Sequence, residues 1–146
     1  MKLFNIPLLV ISLLCATAAA QTQVKDAWVR ATVPQQSASG FFAQLTSAQG
    51  GRLIAVSTSA AAMVEIHEMK MEGDVMKMRA LHDGLVLPAG KTVALKPGGY
   101  HVMMMGLKQQ FKVGETVAVT LTIEGADKKR ETLTLQVPVR LSGSKP

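Results

Sequence analysis

The sequence has 146 residues, with 16 Lys and Arg against 10 Asp and Glu for a formal net charge of +6, 48% hydrophobic residues and a single cysteine. That length makes one domain with an ordinary core and is too short for two. The positive charges are scattered apart from Lys128-Lys129-Arg130, and only Trp28, Tyr100 and four Phe supply aromatic rings, which argues against a nucleic-acid interface of basic and stacking side chains.

In chain order, residues 1–20 carry Lys2 near the start, an apolar run, and small residues Ala18-Ala19-Ala20 at the end. This is the pattern of a cleavable secretory signal, leaving residues 21–146 as the exported domain. Cleavage removes Cys15, so the domain holds no disulfide, thiolate metal site or cysteine nucleophile. Leu14 precedes Cys15, where a lipoprotein signal needs a small side chain, and this argues against a lipid anchor. No later apolar stretch approaches the ~20 residues that span a bilayer, so the domain is expected to be exported, soluble and not membrane-embedded.

The remainder alternates apolar and polar residues over short runs separated by Gly, Pro or Asp, the signature of strands in a sandwich or barrel. Strands are predicted at Val24–Val33, Gly40–Thr46, Arg52–Ser57, Met63–Met71, Val75–Leu81, Thr92–Lys96, Tyr100–Leu107, Thr116–Glu124 and Thr132–Val139. Period two is clean in Val117, Val119, Leu121 and Ile123, and again in Leu133, Leu135, Val137 and Val139. The only helical expectation is one turn at the Ala-rich Ser59–Ala62. Glu72-Gly73-Asp74, Pro88-Ala89-Gly90 and Pro97-Gly98-Gly99 supply reversals, and Gly143-Ser144-Lys145-Pro146 reads as a frayed tail. The fold class is all-β, a single domain.

Methionine is the unusual component: seven of the nine lie between Met69 and Met105. On a strand, His67, Met69 and Met71 share one face, with Val64 and Ile66 on the other. A hairpin around Gly73 brings Met78 opposite Met69 and Met76 opposite Met71. His101, Met103 and Met105 repeat the alternation against Val102 and Met104. Thioether sulfur is neutral, soft and polarizable and selects Cu(I), while imidazole adds affinity and also suits Cu(II). A thioether has no proton to lose, whereas histidine competes with protons for the metal. A His/Met set without carboxylate suits neither Ca²⁺ or Mg²⁺ nor zinc. Against this stands packing, since methionine commonly fills cores.

The stretches Val64-Glu65-Ile66-His67-Glu68-Met69, Met78-Arg79 and Leu95-Lys96-Pro97-Gly98-Gly99-Tyr100-His101-Val102-Met103 resemble the periplasmic copper chaperone family PCu(A)C. Asp26-Ala27-Trp28-Val29-Arg30 and Thr32-Val33-Pro34 resemble that family's opening strand, so the likeness runs from about Val24 to Val139. The resemblance implies a cupredoxin-like antiparallel β-sandwich that binds Cu(I) in a His-x10-Met-x21-His-x-Met pattern. Carried over, the metal ligands are His67, Met78, His101 and Met103. Ten residues separate His67 from Met78, and twenty-two separate Met78 from His101, one more than the pattern. The extra residue is assigned to the Ala80–Gly84 loop, where length is tolerated.

Met69, Met71, Met76 and Met105 are accessory candidates, either a soft rim that passes the ion on or an apolar cover. His82 beside Asp83 reads as exposed, Met104 as core, and Trp28 and Arg30 as packing. The resemblance further implies delivery of copper to the CuA-bearing subunit of a respiratory oxidase, alongside a thiol-based assembly factor. A blue-copper carrier would need a cysteine, and no catalytic constellation stands out; Glu65 and Glu68 flank His67 without an evident partner. The rival reading is an exported β-sandwich that binds protein or carbohydrate through a Met-rich contact face.

Overall fold

The computed structural model describes residues 21–142. The secretory-signal reading of residues 1–20, with Cys15, and the frayed-tail reading of residues 143–146 lie outside the described residues. Within them the chain forms ten strands. These are β1 (Thr22–Arg30), β2 (Ala38–Ser47), β3 (Gly51–Ser57), β4 (Ala61–Glu72), β5 (Val75–Ala80), β6 (Leu85–Leu87), β7 (Thr92–Leu95), β8 (His101–Leu107), β9 (Thr116–Gly125) and β10 (Arg130–Arg140).

The all-β expectation is borne out. Hydrogen-bonded neighbours are arranged in the order β5-β4-β8-β2-β1-β10-β9-β3-β6, with β7 also on β2. The path folds into two layers that meet where β1 and β10 pair in parallel at Val29↔Val139 and Arg30↔Arg140. Between the layers lies one core to which both contribute, including Phe41, Leu45, Val102 and Met104 from one and Leu53, Val119, Leu121 and Val137 from the other. Each fully buried aliphatic or aromatic side chain contributes about 1.5–3 kcal/mol by leaving water. The period-two residues of β9 (Val117, Val119, Leu121 and Ile123) are all buried.

Three local features depart from the sequence reading. Leu85–Leu87 is a strand, paired with β3 from Gly51↔Leu87 to Leu53↔Leu85; three residues are too few to show a period. Ser59 and Ala60 form a turn and no helix, and Ala61 and Ala62 already belong to β4. β1 carries a bulge between Lys25 and Trp28, with Asp26 at φ 52°. The extra residue reverses the facing of the rest of the strand: Val24, opposite Leu45, looks inward, yet Trp28 pairs with Phe42 on the outer face.

β7 and β8 run in one line against β2, paired at Ala43↔Leu95 and Phe41↔Val102 respectively. Between those pairs β2 has one residue, Phe42, while the other side inserts Lys96–His101. The insertion turns at Pro97-Gly98, with Gly98 at φ 81° and the Gly99 N–H donating to the Lys96 carbonyl at 3.0 Å. This interrupted strand presents His101 on the outer face of the layer.

Candidate metal site

Strand pairing gathers the histidines and methionines. β4 sits between β5 and β8. Its register with β8 places His67 opposite His101, Glu65 opposite Met103 and Met63 opposite Met105. Its register with β5 places Met69 opposite Met78 and Met71 opposite Met76. Directly paired residues project to the same side, so all eight candidate residues share the outer face, with Glu65 and Met63. The inner face of the same strands carries Ile66, Val102 and Met104, all buried. The core reading of Met104 is therefore correct, and packing in the core accounts for no other methionine on these strands.

The two imidazoles are buried, at 7% exposure for His67 and 8% for His101, while Met78 is 49% exposed. The ring centroids lie 5.6 Å apart, edge to face at 73°. His101 Nδ1 is 3.0 Å from the Gly99 carbonyl oxygen. A carbonyl only accepts, so Nδ1 carries the proton and the neutral ring's lone pair is on Nε2. That Nε2 lies 3.3 Å from Met78 Sδ. Thioether sulfur has no proton either, so two lone-pair donors converge, as they do around a soft cation.

His67 is oriented by a carboxylate. Its Nε2 is 2.7 Å from Glu65 Oε2, an acceptor, so Nε2 carries the proton. Nδ1 is then the atom with the free lone pair, and it is buried with no hydrogen-bond partner among the described residues. A buried unpaired acceptor is costly unless it is used. A carboxylate on the far nitrogen is how metal-binding histidines are commonly held. This corrects the sequence reading: Glu65 has a partner, His67, and a carboxylate stands beside the donor set. Glu68 faces the other way and pairs with Arg79.

A groove of about 350 Å³ opens beside these residues, lined among others by Arg30, Gly40, Met69, Met78, His101 and Met103. Its floor is where sequence reasoning fell short. Phe42 stacks on Trp28 with centroids 4.5 Å apart, and the Arg30 guanidinium lies over the same ring at 5.1 Å. Gly40, opposite Met103, leaves that ring its place, since a Cβ there would come within 2.8 Å of it. The available signal was Asp26, a residue type that tolerates the left-handed conformation, two positions before Trp28. Met105 lies further along β8, opposite Met63, and lines none of this groove. His82 is exposed in a turn, as expected.

Two imidazoles with defined lone pairs and several neutral thioethers fit a soft monovalent ion and offer little to a hard one. Among the described residues no group of three or more His, Cys, Asp and Glu side chains could hold a metal. The same residues include no helix long and apolar enough to cross a membrane.

Residues 22–139 match the family model described as "Putative lipoprotein LpqE-like". A curated protein of Leifsonia xyli subsp. xyli (strain CTCB07), "Putative lipoprotein Lxx21020", is 33% identical over 99 residues, which make up 68% of this chain. The chain spans only 60% of that relative's length. Among solved structures, the solution structure of CuI-DR1885 from Deinococcus radiodurans superposes with a TM-score of 0.63 at 30% identity, covering 88% of this chain and 85% of that one. The copper-bound PCuAC domain from PmoF2 does so with a TM-score of 0.61 at 20% identity, over 84% and 97% of the two chains, and is similar in fold.

Proposed function

The chain belongs to the LpqE-like family and has the PCuAC fold, and on that basis we propose that it is an exported copper chaperone. It binds Cu(I) through His67, Met78, His101 and Met103 and surrenders it to an acceptor. The observation that carries this reading is the convergence of the His101 Nε2 lone pair and Met78 Sδ at 3.3 Å, on the face that also holds Met103 and His67. The copper-bound relatives support the choice of metal, and the donor set supports the monovalent state.

Release follows from the division of exposure. The histidines are buried and fixed by Gly99 and Glu65, whereas Met78 is half-exposed on an edge strand. An acceptor's ligands displace the thioethers one at a time while the imidazoles still hold the ion, with no change of oxidation state. The proposed destination is the CuA centre of a respiratory oxidase, with a thiol-based assembly factor as second partner and the periplasm as compartment. The chain acts as a carrier, not as an enzyme.

Anaerobic Cu(I) titration against a competing chromophoric chelator tests the reading, with wild type beside His101→Ala and Met103→Ala. Tight binding that is lost or much weakened in both variants supports it. Absence of competition by the wild type sinks it and leaves the exposed Met63, Met71, Met76 and Met78 as a contact face for protein or carbohydrate.

A further inference from the structure

β4 outlasts the sheet that positions it. Its pairing with β8 ends at His67↔His101, and from Glu68 onward its only strand partner among the described residues is β5. Glu68–Glu72 and Val75–Arg79 therefore form a two-stranded arm. Gly73, at φ 63°, opens the two-residue turn that joins them.

The two faces of this arm differ completely. One carries Glu68, Lys70 and Glu72 against Arg79, Lys77 and Val75, tied by the Glu68–Arg79 ion pair and by Lys77 to Glu72 at 2.7 Å. The other carries Met69, Met71, Met76 and Met78 alone, in two directly opposed pairs. Met71 is 53% exposed and Met76 49%, and neither belongs to the core nor packs against it. Threonine or valine would suit an exposed strand face better on propensity. Four consecutive outward positions instead carry the side chain with a flexible stem and a soft donor at its tip.

We propose that this face is a second Cu(I) site, made only of thioethers, formed by Met71 and Met76 with Met69 as the third ligand. Opposed side chains start about 5 Å apart at Cβ, and the neighbouring pair lies about 7 Å along the strand, within reach of three-bond side chains converging on one ion. Met78 contacts His101 and both Met69 and Met78 line the groove, so the two sites adjoin. An ion passes from the arm to the histidines by exchanging one neutral donor for another on Cu(I). No electron moves and no proton is released, since thioethers carry none. The arm site, lacking imidazole, is the weaker: it fills after the histidine site and empties before it. This inference rests on the copper reading above.

The test uses the protein with methionine methyl groups labelled with ¹³C, titrated anaerobically with Cu(I) and in parallel with Ag(I). The first equivalent is expected to shift the methyl signals of Met78 and Met103, and the second those of Met71 and Met76. Met71→Leu/Met76→Leu, altering exposed positions only, is expected to take stoichiometry from two ions to one and leave the first phase within about twofold. A first phase without any later movement of Met71 and Met76 overturns the arm site and spares the chaperone reading. So does joint movement of all four signals within one equivalent, or a double variant that still binds two ions. No movement of any methyl overturns both.

Discussion

His67 and His101 stand directly opposite each other as the last pair that β4 makes with β8, one ring edge-on to the other at 5.6 Å between centroids. They are held by different means: His101 by a backbone carbonyl on its Nδ1, His67 by the Glu65 carboxylate on its Nε2. The free nitrogen is therefore Nε2 in one ring and Nδ1 in the other.

Glu65 should control the tautomer of His67. Two-bond ¹H–¹⁵N spectra of the metal-free protein are expected to show His67 protonated on Nε2 in wild type and in Glu65→Gln, which keeps an acceptor oxygen. Glu65→Ala is expected to lose that preference and to weaken Cu(I) binding about 10–100-fold. An Ala variant with unchanged tautomer and affinity would remove Glu65 from the site.

Adjacent methionines on β8 should respond oppositely to truncation. Met104 is fully buried, so Met104→Ala is expected to cost about 2–5 kcal/mol in urea unfolding and to leave Cu(I) affinity near wild type while the protein is folded. Met103→Ala removes an outward side chain beside the groove and is expected to reverse that pattern. Similar stability losses in both would contradict the two-faced strand.

Gly40→Ala places a methyl group 2.8 Å from the Phe42 ring. The ring must shift, and with it the Trp28 stack and the Arg30 contact. A loss of about 1–3 kcal/mol is expected from such crowding, accompanied by a changed Trp28 emission spectrum, which an undisturbed stack would not produce.

Gly98 isolates a backbone effect. A Cβ there meets nothing within 4 Å, but φ is +81°, so Gly98→Ala is expected to cost about 1–2 kcal/mol through the left-handed conformation alone. Gly98→Asn, which tolerates that region, should cost less. The loop also carries the carbonyl that fixes His101, so Cu(I) affinity is expected to fall in the same order, Ala below Asn; equal affinities would separate loop from site.

Much of this arrangement was legible in the residues because strand side chains alternate strictly. The hairpin around Gly73 and the facing of Met69 with Met78 and Met71 with Met76 come from spacing, and the register agrees. So does the division of Met103 from Met104. Spacing could not carry any relation set by a rotamer or by distant pairing. Glu65 lies two residues from His67 on the same face, yet its bond to that ring depends on side-chain torsions. The bulge at Asp26 reverses the facing of Trp28 and Arg30, and a count by twos across it gives the wrong face. The tandem placement of β7 and β8 on β2 is a long-range outcome, as is the pairing that makes a strand of Leu85–Leu87.

The exposure of Met71, Met76 and Met78 that opens them to metal opens them equally to peroxide, while Met104 is shielded. Oxidation would convert these thioethers to sulfoxides, polar groups that no longer offer the free thioether sulfur on which preference for a soft ion rests. The arm would then lose its taste for the metal before the core lost any packing. An ion bound to one sulfur lone pair draws electron density from the atom that an oxidant attacks, so the Ag(I)-loaded protein should be oxidised more slowly than the empty one.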